Sequence, residues 1–95
     1  MLTGKQRSQL KSIANTEEVL INIGKNGITE NLIKQADETL DARELVKFKI
    51  LSNSPLESKE TASQLAEILG AEYVMSMGRK FVLYRPSDNC IIDLS

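Results

Sequence analysis

The stretch INIGKNGITENLIKQADETL, residues 21–40, changes its hydrophobic period once, and that change decides the fold. Ile21 and Ile23 flank Asn22, the alternation of a half-buried strand. It extends back through EVLINIG, placing Val19, Ile21 and Ile23 on one face and Leu20 on the other. Gly24 and Gly27 then bracket Lys25 and Asn26. Beyond them Leu32, Ile33, Ala36 and Leu40 recur at helical spacing as one apolar stripe, and Thr29 or Asn31 can cap the helix start. A strand that feeds a helix through a glycine break is half of a strand-helix-strand crossover, which joins parallel strands with a right-handed turn.

Working outward, the spacing predicts a first helix from near Thr3 to near Asn15, with Leu2, Leu10, Ile13 and Ala14 on one side and Arg7 and Lys11 on its flank. ELVKFKIL alternates as a second strand, with Val46, Phe48 and Ile50 facing one way and Lys47 and Lys49 the other. A third helix, entered between Ser54 and Ser58, carries Ala62, Leu65, Ala66 and Leu69 on one stripe and stops at Gly70. EYVMSM and KFVLY then form a hairpin around Gly78 and Arg79. PSDNCIIDLS reads as a loose tail or a docked edge. The expected fold is α/β in the order α-β-α-β-α-β-β, one unit without repeat or linker. With both crossovers parallel, the first three strands end on one edge, which collects GKNG, SNSP and GRK.

Composition removes much chemistry. The 95 residues are 41% hydrophobic and 26% charged, values of an ordinary globular domain. Histidine is absent and Cys90 is the single cysteine, so an internal disulfide, a zinc finger and an imidazole-assisted nucleophile are all excluded. Asp37 and Asp41, four apart on a helix, can share a metal or a proton, or simply form a solvated face. No apolar run approaches the ~20 residues of a membrane span, and MLTGKQRSQL lacks the apolar core of a secretory signal, so a cytoplasmic address is expected. Net charge is −1, yet the charges are segregated. Lys5, Arg7 and Lys11 stand without an acid in residues 1–11, as do Arg79, Lys80 and Arg85 in residues 78–87, whereas Glu57, Glu60, Glu67 and Glu72 face only Lys59 in residues 57–72. Such segregation either makes a basic face on a neutral molecule or merely keeps the domain soluble.

The glycine break itself suits an anion. Backbone amides at the start of a helix lack internal acceptors and carry the positive end of its dipole, glycines admit close approach, and Lys25 adds a full charge. The loop is neither a P-loop nor a dinucleotide fingerprint, since the further glycines and the Lys-Ser/Thr pair are missing. A Gly-x-x-Gly loop clamps the nucleic-acid backbone in KH-type RNA binders. Two glycines between a strand and a helix also serve as a plain turn.

Three longer segments, LTGKQRSQLKSIA, IGKNGITENLIKQADETLDARELVKFKIL and KETASQLAEILGAEYVMSMGRKFVLYRPS, span nearly the whole chain from Leu2 to Ser87. Together they resemble the CRM family, the chloroplast RNA splicing and ribosome maturation domain, in its single-domain bacterial form. The resemblance implies an RNA-binding domain over residues 1–87 followed by a tail, residues 88–95, outside the likeness. It implies a four-stranded mixed sheet with helices packed on it, similar in topology to the C-terminal domain of a bacterial translation initiation factor. The family's Gly-x-x-Gly loop maps onto Gly24, Lys25, Asn26 and Gly27. The implied partner is ribosomal RNA in precursors of the large subunit, and the implied role is ribosome assembly.

On this reading Lys25 neutralises a phosphate held by loop amides, Arg79 and Lys80 extend the track, and Lys5, Arg7 and Lys11 add a second basic strip. Contacts of this kind position a chain without reading bases. Tyr73, Tyr84, Phe48 and Phe81 are expected in the core, as are Met75 and Met77; Lys47 and Lys49 form a basic sheet face or keep that face wet. No catalysis, cofactor, metal, membrane or small-molecule substrate is expected, and the chain is expected to be a monomer. A DNA-binding module and a protein-interaction module built on the acidic third helix or the tail are the competing readings. An enzyme acting on a phosphorylated small molecule ranks last.

Overall fold

Helix starts follow the side chains that can replace missing acceptors. In the computed structural model, which describes residues 3–52 and 56–86, α1 (Gly4–Ala14) opens on a reciprocal capping box. Thr3 Oγ1 accepts from the Gln6 amide and Gln6 Oε1 accepts from the Thr3 amide, both at 3.1 Å. Thr29 Oγ1 likewise accepts from the Leu32 amide at 3.1 Å and starts α2 (Glu30–Arg43). Of the two capping candidates, Thr29 takes the role. The third helix, α3 (Ser58–Leu69), ends on Gly70 in the left-handed conformation. Between the helices lie β1 (Ile21–Ile23), β2 (Leu45–Ile50), β3 (Glu72–Met77) and β4 (Lys80–Tyr84), so the element order is the expected one.

The four strands form one mixed sheet in the order β1-β2-β4-β3. β1 and β2 pair in parallel, while β4 runs antiparallel to both neighbours. The last strand is therefore inserted beside β2, and β1, β2 and β3 all point the same way. Their ends share one edge, as expected from two parallel crossovers. Three hydrogen bonds tie that edge together: Leu51 N donates to Ile23 O at 2.9 Å, Ile50 N to Arg79 O at 2.7 Å, and Arg79 Nη1 to Leu51 O at 3.3 Å.

Each sheet face has its own core. On the α2 and α3 side, Ile21, Ile23, Val46, Phe48, Ile50, Phe81 and Leu83 meet Leu32, Ala36 and Leu40 from α2 and Ala62, Leu65 and Leu69 from α3. Phe48 and Phe81 are cross-strand partners stacked with centroids 4.7 Å apart and rings 7° from parallel. On the other face a smaller cluster joins Leu10, Ala14 and Ile13 of α1 to Leu45, Val74, Met75, Val82 and Tyr84. Burial of Phe48, Phe81 and Tyr84, and half-burial of Tyr73, agree with the expectation that the aromatics pack.

Two departures from simple alternation have physical causes. β1 is shorter than the EVLINIG reading, because residues 17–20 join the ladder only through Leu20 N, which donates to Lys47 O at 2.9 Å. Before the ladder begins there is no pleat to enforce alternation, and Leu20 packs with Ile21 and Ile23 rather than opposite them. In β3 the register against β4 shifts between Tyr73 and Met75. This irregularity directs both Val74 and Met75 toward α1, while Tyr73 and Ser76, three apart, meet in a 2.8 Å hydrogen bond from the Tyr73 hydroxyl to Ser76 Oγ. The expected placements of Leu2, of Ser54 and of the tail from Asp88 to Ser95, with Cys90, lie outside the described residues.

Candidate nucleic-acid interface

The Gly24 to Gly27 break is a tight turn in which Gly27 N donates to Gly24 O at 3.0 Å. One of the peptide nitrogens expected to meet an anion is thus satisfied by the turn itself. The Leu32 amide is likewise taken by Thr29, and Glu30 puts a carboxylate in the first turn of α2. The peptide nitrogens nearest Lys25 are those at the tip of the turn. There, among the described residues, the Lys25 and Asn26 amides have no acceptor within reach, and both side chains are exposed. The turn lines an open cavity of about 420 Å³ with Asn22, Thr29, Asn31 and Gln35, a wall of amides and hydroxyls able to donate and accept.

The two glycines differ. Gly27 adopts φ 68°, a left-handed backbone that favours glycine, while an added Cβ would make only an ordinary 3.4 Å contact with Leu56 Cδ1. Gly24 has no positive φ, and a Cβ there would meet nothing within 4 Å. A side chain there would enter open space.

Gly78 and Arg79 close the β3–β4 hairpin on the same edge. Positive φ occurs at Gly78 but not at Arg79, the pattern of a type II′ turn. Ser58 Oγ donates to Gly78 O at 2.7 Å and fixes the turn to the start of α3. Arg79 and Lys80 are exposed there, so the structure brings them to the edge that holds Lys25. Register adds a residue whose role the sequence left open. Lys49 of β2 stands directly opposite Lys80 of β4 and beside Asn22 of β1, and Met77 of β3 completes the row on the α1 face. Two ammonium groups opposed across a ladder repel each other, and an anion lying over them relieves that repulsion.

The basic residues of α1 do not join this row. Lys5 and Lys11 are exposed, but α1 packs on β2 and β3 with its C-terminal end toward mid-sheet, where Lys47 Nζ donates to Ala14 O and Glu17 O at 3.4 Å each. Lys5 lies at the opposite end of that helix. Arg7 is half-buried, with Nε shielded from solvent. Lys47 belongs to the helix C-terminus, where a cation offsets the dipole, rather than to an open basic face.

Arg85, at the opposite edge of the sheet, has a structural place. Its guanidinium donates to Asp37 Oδ1 and Asp37 O at 2.8 Å each, and to Leu69 O and Asp41 Oδ1 at 2.9 Å each. Asp37 and Asp41 thus bind Arg85 while their side chains stay 55% and 70% exposed, so the expected solvated face is present and also carries an ion pair. Among the described residues no three His, Cys, Asp or Glu side chains gather as a metal site, and no helix is long and apolar enough to cross a membrane.

Comparison with known proteins agrees with this architecture. The chain is 38% identical over 87 residues to a Bacillus subtilis protein named "Probable RNA-binding protein YqeI", covering 92% of this chain and 91% of that one. It is 29% identical to a Haemophilus influenzae protein named "RNA-binding protein", covering 98% and 94% of the two chains. These names describe binding rather than an enzymatic activity. The solution structure of the hypothetical protein SAV1595 from Staphylococcus aureus superposes with a TM-score of 0.83 at 45% identity over the full length of both chains. The model of the CRS1/YhbY (CRM) domain matches residues 2–85, every residue of both cores and the whole of the edge built around Lys25, Lys49 and Lys80, and the chain belongs to the CRS1/YhbY (CRM) domain family.

Proposed function

We propose that this protein binds RNA, that it does so on precursors of the large ribosomal subunit in the cytoplasm, and that it assists their assembly without catalysing a reaction. The observation that carries the reading is the open turn of Gly24 to Gly27, with the Lys25 and Asn26 amides and the Lys25 ammonium at its tip. The relatives' names point to the same class of partner. Peptide nitrogens and an adjacent cation are the groups that hold a phosphodiester, and a missing side chain at Gly24 lets the sugar-phosphate chain approach.

Arg79, Lys80 and Lys49 continue the contact along the edge, while Lys5 and Lys11 offer a separate strip on α1 and Arg7 contributes least because it is half-buried. Phosphate contacts of this kind set position and register, so discrimination among sequences is small and shape decides the target. The chain acts as a monomer and needs no cofactor.

The test combines crosslinking in cells, sequencing of the attached RNA and sedimentation of the extract. Crosslinks in large-subunit RNA and comigration with subunit precursors are expected. Comigration with finished ribosomes only, or crosslinks without ribosomal RNA, overturns the assembly role. Lys25→Glu, with folding verified, is expected to weaken RNA binding severalfold; unchanged affinity moves the site off the loop. Duplex DNA competing as well as structured ribosomal RNA overturns the choice of RNA.

A further inference from the structure

From the uncovered part of the sheet's α1 face we infer a pocket for one unstacked nucleobase of the RNA whose backbone crosses the Gly24 to Gly27 turn. The inference rests on the RNA-binding reading and adds a second kind of contact to it. Alternation places Lys47, Val82 and Met75 in one row across β2, β4 and β3, and Lys49, Lys80 and Met77 in the next row toward the loop edge. α1 covers the sheet only as far as Ala14 and Asn15. Beyond its end, Met75, Met77 and Val82 contribute the apolar lining of a cavity of about 220 Å³, with Lys47, Arg79 and Lys80 also lining it.

Several features point to a base rather than to a gap in packing. Met77 is 64% exposed, one of two large hydrophobic side chains so placed among the described residues, and its burial would be favourable. Polarisable thioethers lie well against aromatic rings. Lys47 is engaged by the end of α1, and the exposed Arg79 and Lys80 line the cavity with no carboxylate among the lining residues, so the cavity combines an apolar surface with a rim attractive to phosphodiesters, the two halves of a nucleotide. Its volume is below the ~300 Å³ where pockets for drug-sized ligands begin, which suits a single planar ring system. Asn15, also on the lining, carries an amide that can both donate to and accept from a base edge.

The position joins this pocket to the turn. Asn22, Lys49, Lys80 and Met77 run in one register across β1, β2, β4 and β3, and three strand spacings make about 14 Å. A single strand leaving the turn passes over the opposed lysines before a base reaches Met77.

The experiment uses the full chain labelled with ¹³C at its methionine methyls and titrated at low salt with a mixed-sequence single-stranded oligoribonucleotide or an abasic oligoribonucleotide of equal length. The base-bearing strand is expected to move the Met75 and Met77 methyl signals upfield by ring current, and the abasic strand to bind without that shift. Met77→Ala, a change at an exposed position, is expected to weaken the base-bearing strand about threefold and leave the abasic strand unchanged. Tight binding of both strands with stationary Met75 and Met77 signals overturns the pocket and leaves the phosphate site standing. Failure of both strands to bind overturns the RNA-binding reading and the pocket with it. Shifts that follow protein concentration rather than RNA make Met77 a contact between copies, which also overturns the pocket.

Discussion

Alanine at Gly24 and alanine at Gly27 should have opposite effects on stability, although both residues bracket one turn. At Gly27 the left-handed backbone costs a side-chain-bearing residue about 1–2 kcal/mol. Reduced freedom of the unfolded chain returns about 0.4–1 kcal/mol, and the Leu56 methyl at 3.4 Å is an ordinary contact that adds no cost of its own. The expected result for Gly27→Ala is a net loss of about 1 kcal/mol, or about 4–8 °C in Tm for a domain of this size. At Gly24 the backbone cost is absent, because φ is not positive, and nothing lies within 4 Å of the added methyl. Gly24→Ala should leave stability unchanged or raise it by up to about 1 kcal/mol. The same methyl stands where a phosphate approaches. Loss of one charge-assisted hydrogen bond, about 1.5 kcal/mol, corresponds to about tenfold weaker RNA binding. Urea unfolding followed by circular dichroism gives the first quantity, and anisotropy of a labelled RNA at fixed salt gives the second. A Gly24→Ala protein of normal stability that binds RNA as tightly as the parent refutes the close-approach argument.

The remaining predictions concern charge and the scaffold. With Lys25, Lys49, Arg79 and Lys80 all touching phosphates, the logarithm of RNA affinity should fall against the logarithm of salt concentration with a slope of about −3, taking about −0.7 per contact; a flat response rejects the electrostatic edge. Lys49→Glu should replace the opposed lysines with an attractive cross-strand pair, raising stability by about 0.5 kcal/mol while weakening RNA binding; a loss of stability in urea counts against the register-based repulsion. Arg85→Ala should lower stability by about 2 kcal/mol, because it removes the donors to Asp37, Asp41 and the Leu69 carbonyl at once, and affinity of the folded protein for RNA should not change. Arg85→Lys should restore little, since an ammonium lacks the planar fork that reaches these acceptors together; full recovery of Tm by lysine rejects the fork geometry.

Local signals in the chain were strong where one residue decides the outcome. Thr3 and Thr29 cap their helices, Gly70 ends α3 and Gly78 turns the hairpin, each through chemistry confined to a few neighbours. The shared edge of the three parallel strands also followed from reading both crossovers as parallel. What depends on distant partners was hidden. Nothing in KFKIL or GRKFV announces that Lys49 will oppose Lys80, because that register arises only when β4 enters beside β2. Arg85 looked like one more basic residue near Arg79, yet three carbonyl and carboxylate groups from α2 and one from α3 converge on it. Glu44 is fully buried at φ 66°, a place where charge and backbone preference both argue against glutamate. The Gly27 amide was expected to face an anion, and only the closed turn shows it occupied.

The insertion of β4 between β2 and β3 has a consequence for how the protein is made. During translation the strand that joins β2 to β3 emerges last of the four, so a nascent chain that has released residues up to Met77 owns the three helices of the described residues but only the β1–β2 pairing, one of the sheet's three. Phe48 waits for Phe81, and β3 has no hydrogen-bonded neighbour. Closure of the sheet therefore requires the Lys80 to Tyr84 segment, five residues on which two of the three strand pairings depend.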